Sequence, residues 1–159
     1  MKKRVRIFAV WIAALAALPG FAYAEPQAEA AAEVFFMGSR VETDVAPYYD
    51  ADAGGLRVPL RFVLEAAGYS VMYEEETATV TAVSPENARY IVLQIGNTNV
   101  FGNTDGFQTE EREPRRLSHA PVEIDGRTMV TAEFFDLLNW ACTSSGGGVY
   151  FTPNAVPAD

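Results

Sequence analysis

Polar and apolar residues alternate along most of the chain after residue 34, in short runs that are separated by glycine and acidic turns. The alternation is clearest over residues 89–95 and is typical of half-buried β-strands. Two stretches depart from it. Phe62, Val63 and Ala66 recur at helical spacing, and so do Phe134 and Leu138. The pattern therefore predicts many short strands and two short helices.

The two helical stretches lie in a segment that occurs twice. Residues 55–69 return, weakened, as residues 126–140. Each copy runs from a glycine-containing turn through a strand into a helix, and then through an aromatic residue into a hairpin. Since neither copy could bury its apolar face alone, we predict one α+β domain. In it an antiparallel β-sheet packs around the two helices.

Local signals mark where each helix begins and ends. Pro59 suits the first helical position, and Gly68 suits the left-handed conformation that closes a helix. In the second copy the Thr131 hydroxyl is expected to cap the helix, and Asn139 to replace the closing glycine. Asp125 and the glycine after it predict a tight hairpin turn.

The first 24 residues have the composition of a secretory signal peptide. A basic start precedes an apolar run, and the segment ends in Ala22-Tyr23-Ala24. An uncleaved anchor is the alternative, but the run is shorter than the roughly 20 residues that span a bilayer. We expect cleavage after Ala24 and a secreted or extracytoplasmic protein that is not inserted in the membrane. Residues 25–33 form a flexible lead-in, residues 34–152 the domain and residues 153–159 a tail.

The charge of the mature chain is strongly negative. The leader holds four of the 12 basic residues and none of the 21 acidic ones, so its removal leaves a net charge of −13. Such a charge opposes binding to nucleic acid, which requires clustered cations. Cys142 is the only cysteine, so the domain has no internal disulfide. We expect it to be a small, buried apolar residue.

A family resemblance rests on the first copy of the repeat. Residues 58–69 read Val-Pro-Leu-Arg-Phe-Val-Leu-Glu-Ala-Ala-Gly-Tyr, and a strand, an acidic turn and Thr-Ala-Thr-Val-Thr follow. With residues 95–97 and 125–130, they resemble the copper amine oxidase N-terminal-like domain, also called the stalk domain. Residues 34–152 are similar to it. Thr131 in place of proline, Asn139 in place of glycine and a long segment 102–116 depart from the family pattern.

The resemblance implies an α+β module of the bacterial cell envelope, without the catalytic domain that carries copper and a quinone in amine oxidases. The residues also argue against a copper site, because His119 is the only histidine and such a site requires several imidazoles. No serine lies in a nucleophile-elbow context for a triad. We therefore predict no enzyme, no cofactor and no metal site. A pair of carboxylates for glycoside hydrolysis stays open as the alternative.

Binding is predicted at one loop. Tyr48 and Tyr49 offer aromatic surfaces for sugars or peptides, and Asp50 and Asp52 begin like a calcium loop. The position that would need a bidentate glutamate holds Arg61, so an EF-hand is excluded. Arg61 and Glu65 share a helix face and are expected to interact. The resulting hypothesis is a non-catalytic module that binds, spaces or supports envelope components, with cell-wall glycan or an envelope protein as partner. A small hydrolase and a small-ligand or cation-binding protein are the alternatives.

Overall fold

The computed structural model describes residues 32–86, 89–103 and 113–154. The expected signal peptide, most of the lead-in and the centre of segment 102–116 lie outside these residues. Half of the described residues are in strands and 12% are in helices. The strands are β1 (Glu33–Phe36), β2 (Ser39–Val41), β3 (Tyr48–Asp50), β4 (Gly55–Pro59), β5 (Ser70–Glu74), β6 (Thr79–Val83), β7 (Tyr90–Gln94), β8 (Asn99–Gly102), β9 (Arg115–Arg116), β10 (Val122–Ile124), β11 (Arg127–Thr131), β12 (Trp140–Ser145) and β13 (Gly148–Pro153).

The predicted fold class is wrong. The described residues are mainly β, in three separate sheets, whereas the sequence was expected to give an α+β fold with one antiparallel sheet around two helices. Helix α1 (Leu60–Ala66) and a 3₁₀ helix (Ala132–Leu138) have only seven residues each. One strand pair, β1 with β13, is parallel. Both stretches with helical spacing do form helices, but each helix is too short to form a layer of the fold.

The middle sheet joins the two similar segments in the order β10-β11-β4-β3. Strands β4 and β11 are antiparallel, and Val58 lies directly opposite Val130. Both valines are fully buried. Val58 and Val130, which correspond in the two segments, therefore face each other across the β4–β11 pair. The turn between β10 and β11 has positive φ at Asp125 and Gly126, as the Asp-Gly pair predicts.

Each of the other two sheets contains the strand that directly follows one of the two helices. The first has the order β12-β13-β1-β2, and the second has the order β5-β6-β7-β8-β9. One hydrophobic core joins all three sheets, with Phe151 from the first, Val58 from the middle one and Leu93 from the second. Phe135 of the 3₁₀ helix packs on Phe151 at a ring-centroid distance of 4.4 Å. Packing across sheets therefore fixes where the loops and edge strands lie.

The helix ends partly follow the sequence signals. Asn139 is left-handed with φ of 57°, and Gly68 has φ of 84°, as expected. Pro59 lies just before α1 in an extended conformation, so it ends β4 instead of beginning the helix. Thr131 forms no capping bond, because its hydroxyl donates to Oε1 of Glu133 at 3.0 Å. None of the described helices is long and apolar enough to span a membrane.

Candidate ligand-binding cleft

The residues predicted to bind a ligand lie on an edge strand and the turn after it. Tyr48, Tyr49 and Asp50 form β3, whose only neighbour in the sheet is β4, and Asp52 is exposed in the following turn. Tyr49 is 68% exposed and Tyr48 is half-buried. Because successive side chains of a strand point to opposite faces, the two tyrosines do not form one aromatic surface. Their role in binding stays a prediction.

Asp50 has a structural task that the sequence did not reveal. Its Oδ1 accepts the backbone N–H groups of Asp52 at 3.0 Å and Ala53 at 3.1 Å, and its Oδ2 accepts Nε of Arg57 at 2.9 Å. Arg57 is buried and also donates to the carbonyl oxygen of Ala120 at 2.8 Å. The bond from Arg57, with those from the turn, lowers the pKa of Asp50. Asp50 thus neutralises a buried guanidinium and shapes its own turn.

A cleft of about 230 Å³ opens on the other half of the middle sheet. It lies where the start of α1 meets the β5–β6 hairpin and the β10–β11 turn. The lining residues combine an apolar base with polar groups at the walls. They are Pro59, Leu60, Arg61, Phe62, Val71, Tyr73, Val80, Glu123, Gly126, Arg127 and Thr128.

One of the two arginines in the cleft is already neutralised. Nε of Arg127 donates to Oδ1 of Asp44 at 3.1 Å and to Oδ2 at 3.0 Å, and the guanidinium also lies 5.9 Å from the centroid of the Phe62 ring. The bond from Arg127 lowers the pKa of Asp44, and the same pair raises the pKa of Arg127. This pair ties the loop before β3 to the rim of the cleft.

The other arginine, Arg61, is exposed and has no ion-pair partner among the described residues. The expected interaction with Glu65 does not form, although Glu65 lies one helical turn away on α1. Its guanidinium is therefore free to bind an anion that enters the cleft.

Tyr73 and Glu123 supply the remaining polar groups. Tyr73 lies on β5 and Glu123 on β10. Desolvation, the nearby carboxylates of Glu123 and Glu75, and a hydrogen-bonding interaction with Glu123 raise the pKa of the Tyr73 hydroxyl. A carboxylate and a phenol can together accept and donate hydrogen bonds to a ligand.

A second cavity of about 410 Å³ lies between the β1–β2 hairpin and α1. Phe62 lines this cavity as well as the cleft, so the two meet at its ring. Arg40 in this cavity pairs with Glu33 at 3.1 Å, unlike Arg61 in the cleft. The side of α1 that carries Phe62 thus faces two adjoining depressions.

The cleft offers little for catalysis. Among the described residues, its lining contains no serine, cysteine or histidine, and Glu123 is the only carboxylate there. Cys142 lies elsewhere, on β12, where desolvation and Asp136 raise the pKa of its thiol to about 11. Within the described ranges, no three histidine, cysteine, aspartate or glutamate side chains form a group that could hold a metal ion. The arrangement can bind a ligand by charge, hydrogen bonds and apolar contact.

Little in the sequence indicates this cleft. The sequence pattern assigns Arg61 to a pair with Glu65 on the same helix face. Glu123 lies 62 positions beyond Arg61, and no local motif joins them. The only available signal was the unmatched charge, because the second copy has no arginine at the place of Arg61.

Comparison with known proteins gives one match. The sequence model described as the copper amine oxidase N-terminal domain matches residues 35–138, which is well over half of the chain. No catalytic-domain family is detected with it. No curated protein and no solved structure matches the chain significantly. The family match confirms the resemblance carried by residues 58–69, and it includes every residue that lines the cleft.

Proposed function

Since the chain belongs to the copper amine oxidase N-terminal domain family and no catalytic-domain family is detected with it, we propose that it acts by binding. In this proposal it is a secreted, non-catalytic module that binds, spaces or supports other components of the bacterial cell envelope. The cleft beside α1 is its ligand site. Cell-wall material or an envelope protein is the partner.

The observation that carries the proposal is the chemistry of the cleft. Among the described residues, Arg61 lines it without an ion-pair partner, and Glu123 is the only carboxylate in the lining. Retaining and inverting glycosidases both use two carboxylates that flank the bond they cleave. A triad would require a nucleophile and a histidine. Of these the lining residues provide one carboxylate, so the cleft is suited to recognition.

Two features of the sequence support the proposed location. The leader has the basic start, apolar run and Ala-x-Ala end that a signal peptidase recognises. The strong negative charge of the rest of the chain favours solubility and disfavours nucleic acid as a partner.

The test is retention on envelope material. Protein obtained by expressing the full chain is passed over purified peptidoglycan and, separately, over immobilised envelope protein extract. A secreted protein of similar charge serves as the control. The proposal predicts that the module is retained on one of the two materials and that no substrate is turned over. Clean flow-through from both materials would contradict it.

A further inference from the structure

We propose that the cleft beside α1 binds the free carboxyl terminus of a short peptide whose last residue has a small apolar side chain. The inference deepens the proposed function, on which it rests, by naming the ligand class. It uses three features of the cleft, which are a free cation, an apolar base and a polar wall with a hydrogen-bond acceptor.

The free cation is Arg61. It is exposed, it lines the cleft, and none of the described residues forms an ion pair with it. Arg127 is held by Asp44 through two hydrogen bonds from its Nε. A carboxylate that enters the cleft therefore meets one guanidinium with free donors. Guanidinium binds carboxylate through two parallel hydrogen bonds.

The apolar base favours an apolar side chain next to the carboxylate. Leu60 and Val80 are buried, and Val71 and Phe62 are half-buried around them. The cleft has a volume of about 230 Å³. A methyl or isopropyl group fits such a space, and burial of its carbon atoms adds affinity.

The polar wall selects for a peptide over a simple acid. The Tyr73 hydroxyl interacts with Glu123, whose carboxylate keeps further acceptor positions for the amide N–H that precedes a terminal residue. A free carboxylic acid without that amide would leave those acceptor positions unused.

The experiment titrates ¹⁵N-labelled protein from the full chain with N-acetyl-alanyl-alanine and follows amide shifts by NMR. We expect a Kd on the order of 1 mM, as a fragment of this size allows, with the largest shifts at residues that line the cleft. Arg61→Gln should weaken binding by about tenfold, since it removes a charge-assisted contact. Arg61→Lys, which keeps the charge without the fork of donors, should be intermediate.

Controls separate the parts of the proposal. Arg40→Gln is the matched variant, because Arg40 already pairs with Glu33 and lies outside the cleft, and its affinity should equal that of the wild type. The C-terminal amide of the same peptide should bind at least about tenfold more weakly. Isobutyrate, a free acid without an amide, should also bind more weakly than the peptide.

Equal binding of the amide, or an unchanged affinity in Arg61→Gln, would overturn the proposal. Equal binding of isobutyrate would overturn the assignment to a peptide. The envelope assay and the peptide titration can each fail without the other. Retention on envelope material without peptide binding would contradict only the ligand class. Arg61-dependent peptide binding without retention would contradict only the envelope role.

Discussion

At the scale of single residues, the two arginines of the first segment have different roles, although only four positions separate them. Arg57 is buried with Asp50 and the carbonyl oxygen of Ala120. Arg61 faces the cleft without an ion-pair partner among the described residues. The difference follows from the element that each occupies. A β-strand directs Arg57 inward, whereas α1 exposes Arg61.

Arg57→Ala should lower the free energy of unfolding clearly more than Arg61→Ala, because it removes a buried guanidinium and leaves the Asp50 carboxylate without its partner. Arg61→Ala is the matched control of the same residue type, and it should change stability by less than about 0.5 kcal/mol, as exposed positions generally do. Urea unfolding followed by circular dichroism measures both. Equal losses in the two variants would refute the assignment of Arg57 as the structural arginine.

At the scale of elements, the two helices close in the same way with different residues. Gly68 ends α1 and Asn139 ends the 3₁₀ helix, both with positive φ. Their surroundings differ. A Cβ added at Gly68 would lie 2.9 Å from Cγ of Pro85. At Asn139, the backbone oxygen accepts the N–H of Asn154 at 2.9 Å. The first position tolerates only glycine, and the second is stabilised by its own contacts.

Gly68→Ala should therefore destabilise the protein more than Asn139→Ala. The first change combines a left-handed alanine with a steric contact and should lower the free energy of unfolding by about 2 kcal/mol or more. The second should cost about 1 kcal/mol, since alanine is less favourable than asparagine in this conformation. Thermal and urea unfolding measure the order. A smaller loss in Gly68→Ala would contradict the close approach to Pro85.

The sequence predicted single strands, turns and helix ends better than the overall fold. The strand β7, the Asp-Gly turn and the left-handed Asn139 follow from local chemistry, and the structure has them as expected. The fold class was wrong because the pattern predicted two short helices but could not show that the strands divide into three sheets, beside which the helices are a minor part of the fold. The cleft was missed because Arg61, Tyr73 and Glu123 come together only through packing between sheets, which no local pattern records.

At the scale of the whole molecule, one core joins three sheets, and carboxylates that accept hydrogen bonds hold its loops in place. Besides the pairs of Asp44 and Asp50, the Glu133 carboxylate accepts the N–H of Ser118 at 2.8 Å and that of His119 at 3.3 Å. Burial alone would raise the pKa of Glu133, but the hydrogen bonds from Ser118, Thr131 and His119 outweigh it and lower the value. These bonds hold the loop before β10, and therefore the wall of the cleft that carries Glu123.

Acid should therefore destabilise the fold. The pKa values of Asp44, Asp50 and Glu133 are lower in the folded protein than their ordinary values of 3.8, 3.8 and 4.5. Their stabilisation is present above those ordinary values and is lost as the pH falls through the lower folded values. The urea midpoint should begin to fall near pH 4.5 and should fall further below pH 3.8. Glu133→Gln should show a smaller fall, and an identical pH profile in that variant would contradict the role of Glu133.

The central claim is that the chain recognises envelope material through the cleft beside α1. The most direct measurement is retention of the wild type on purified peptidoglycan and on envelope protein extract, with N-acetyl-alanyl-alanine as competitor and Arg61→Gln in parallel. We predict that the wild type is retained on one of the materials and displaced by the peptide, and that Arg61→Gln is retained less. Flow-through of the wild type from both materials, or retention that neither the peptide nor Arg61→Gln reduces, would contradict the claim.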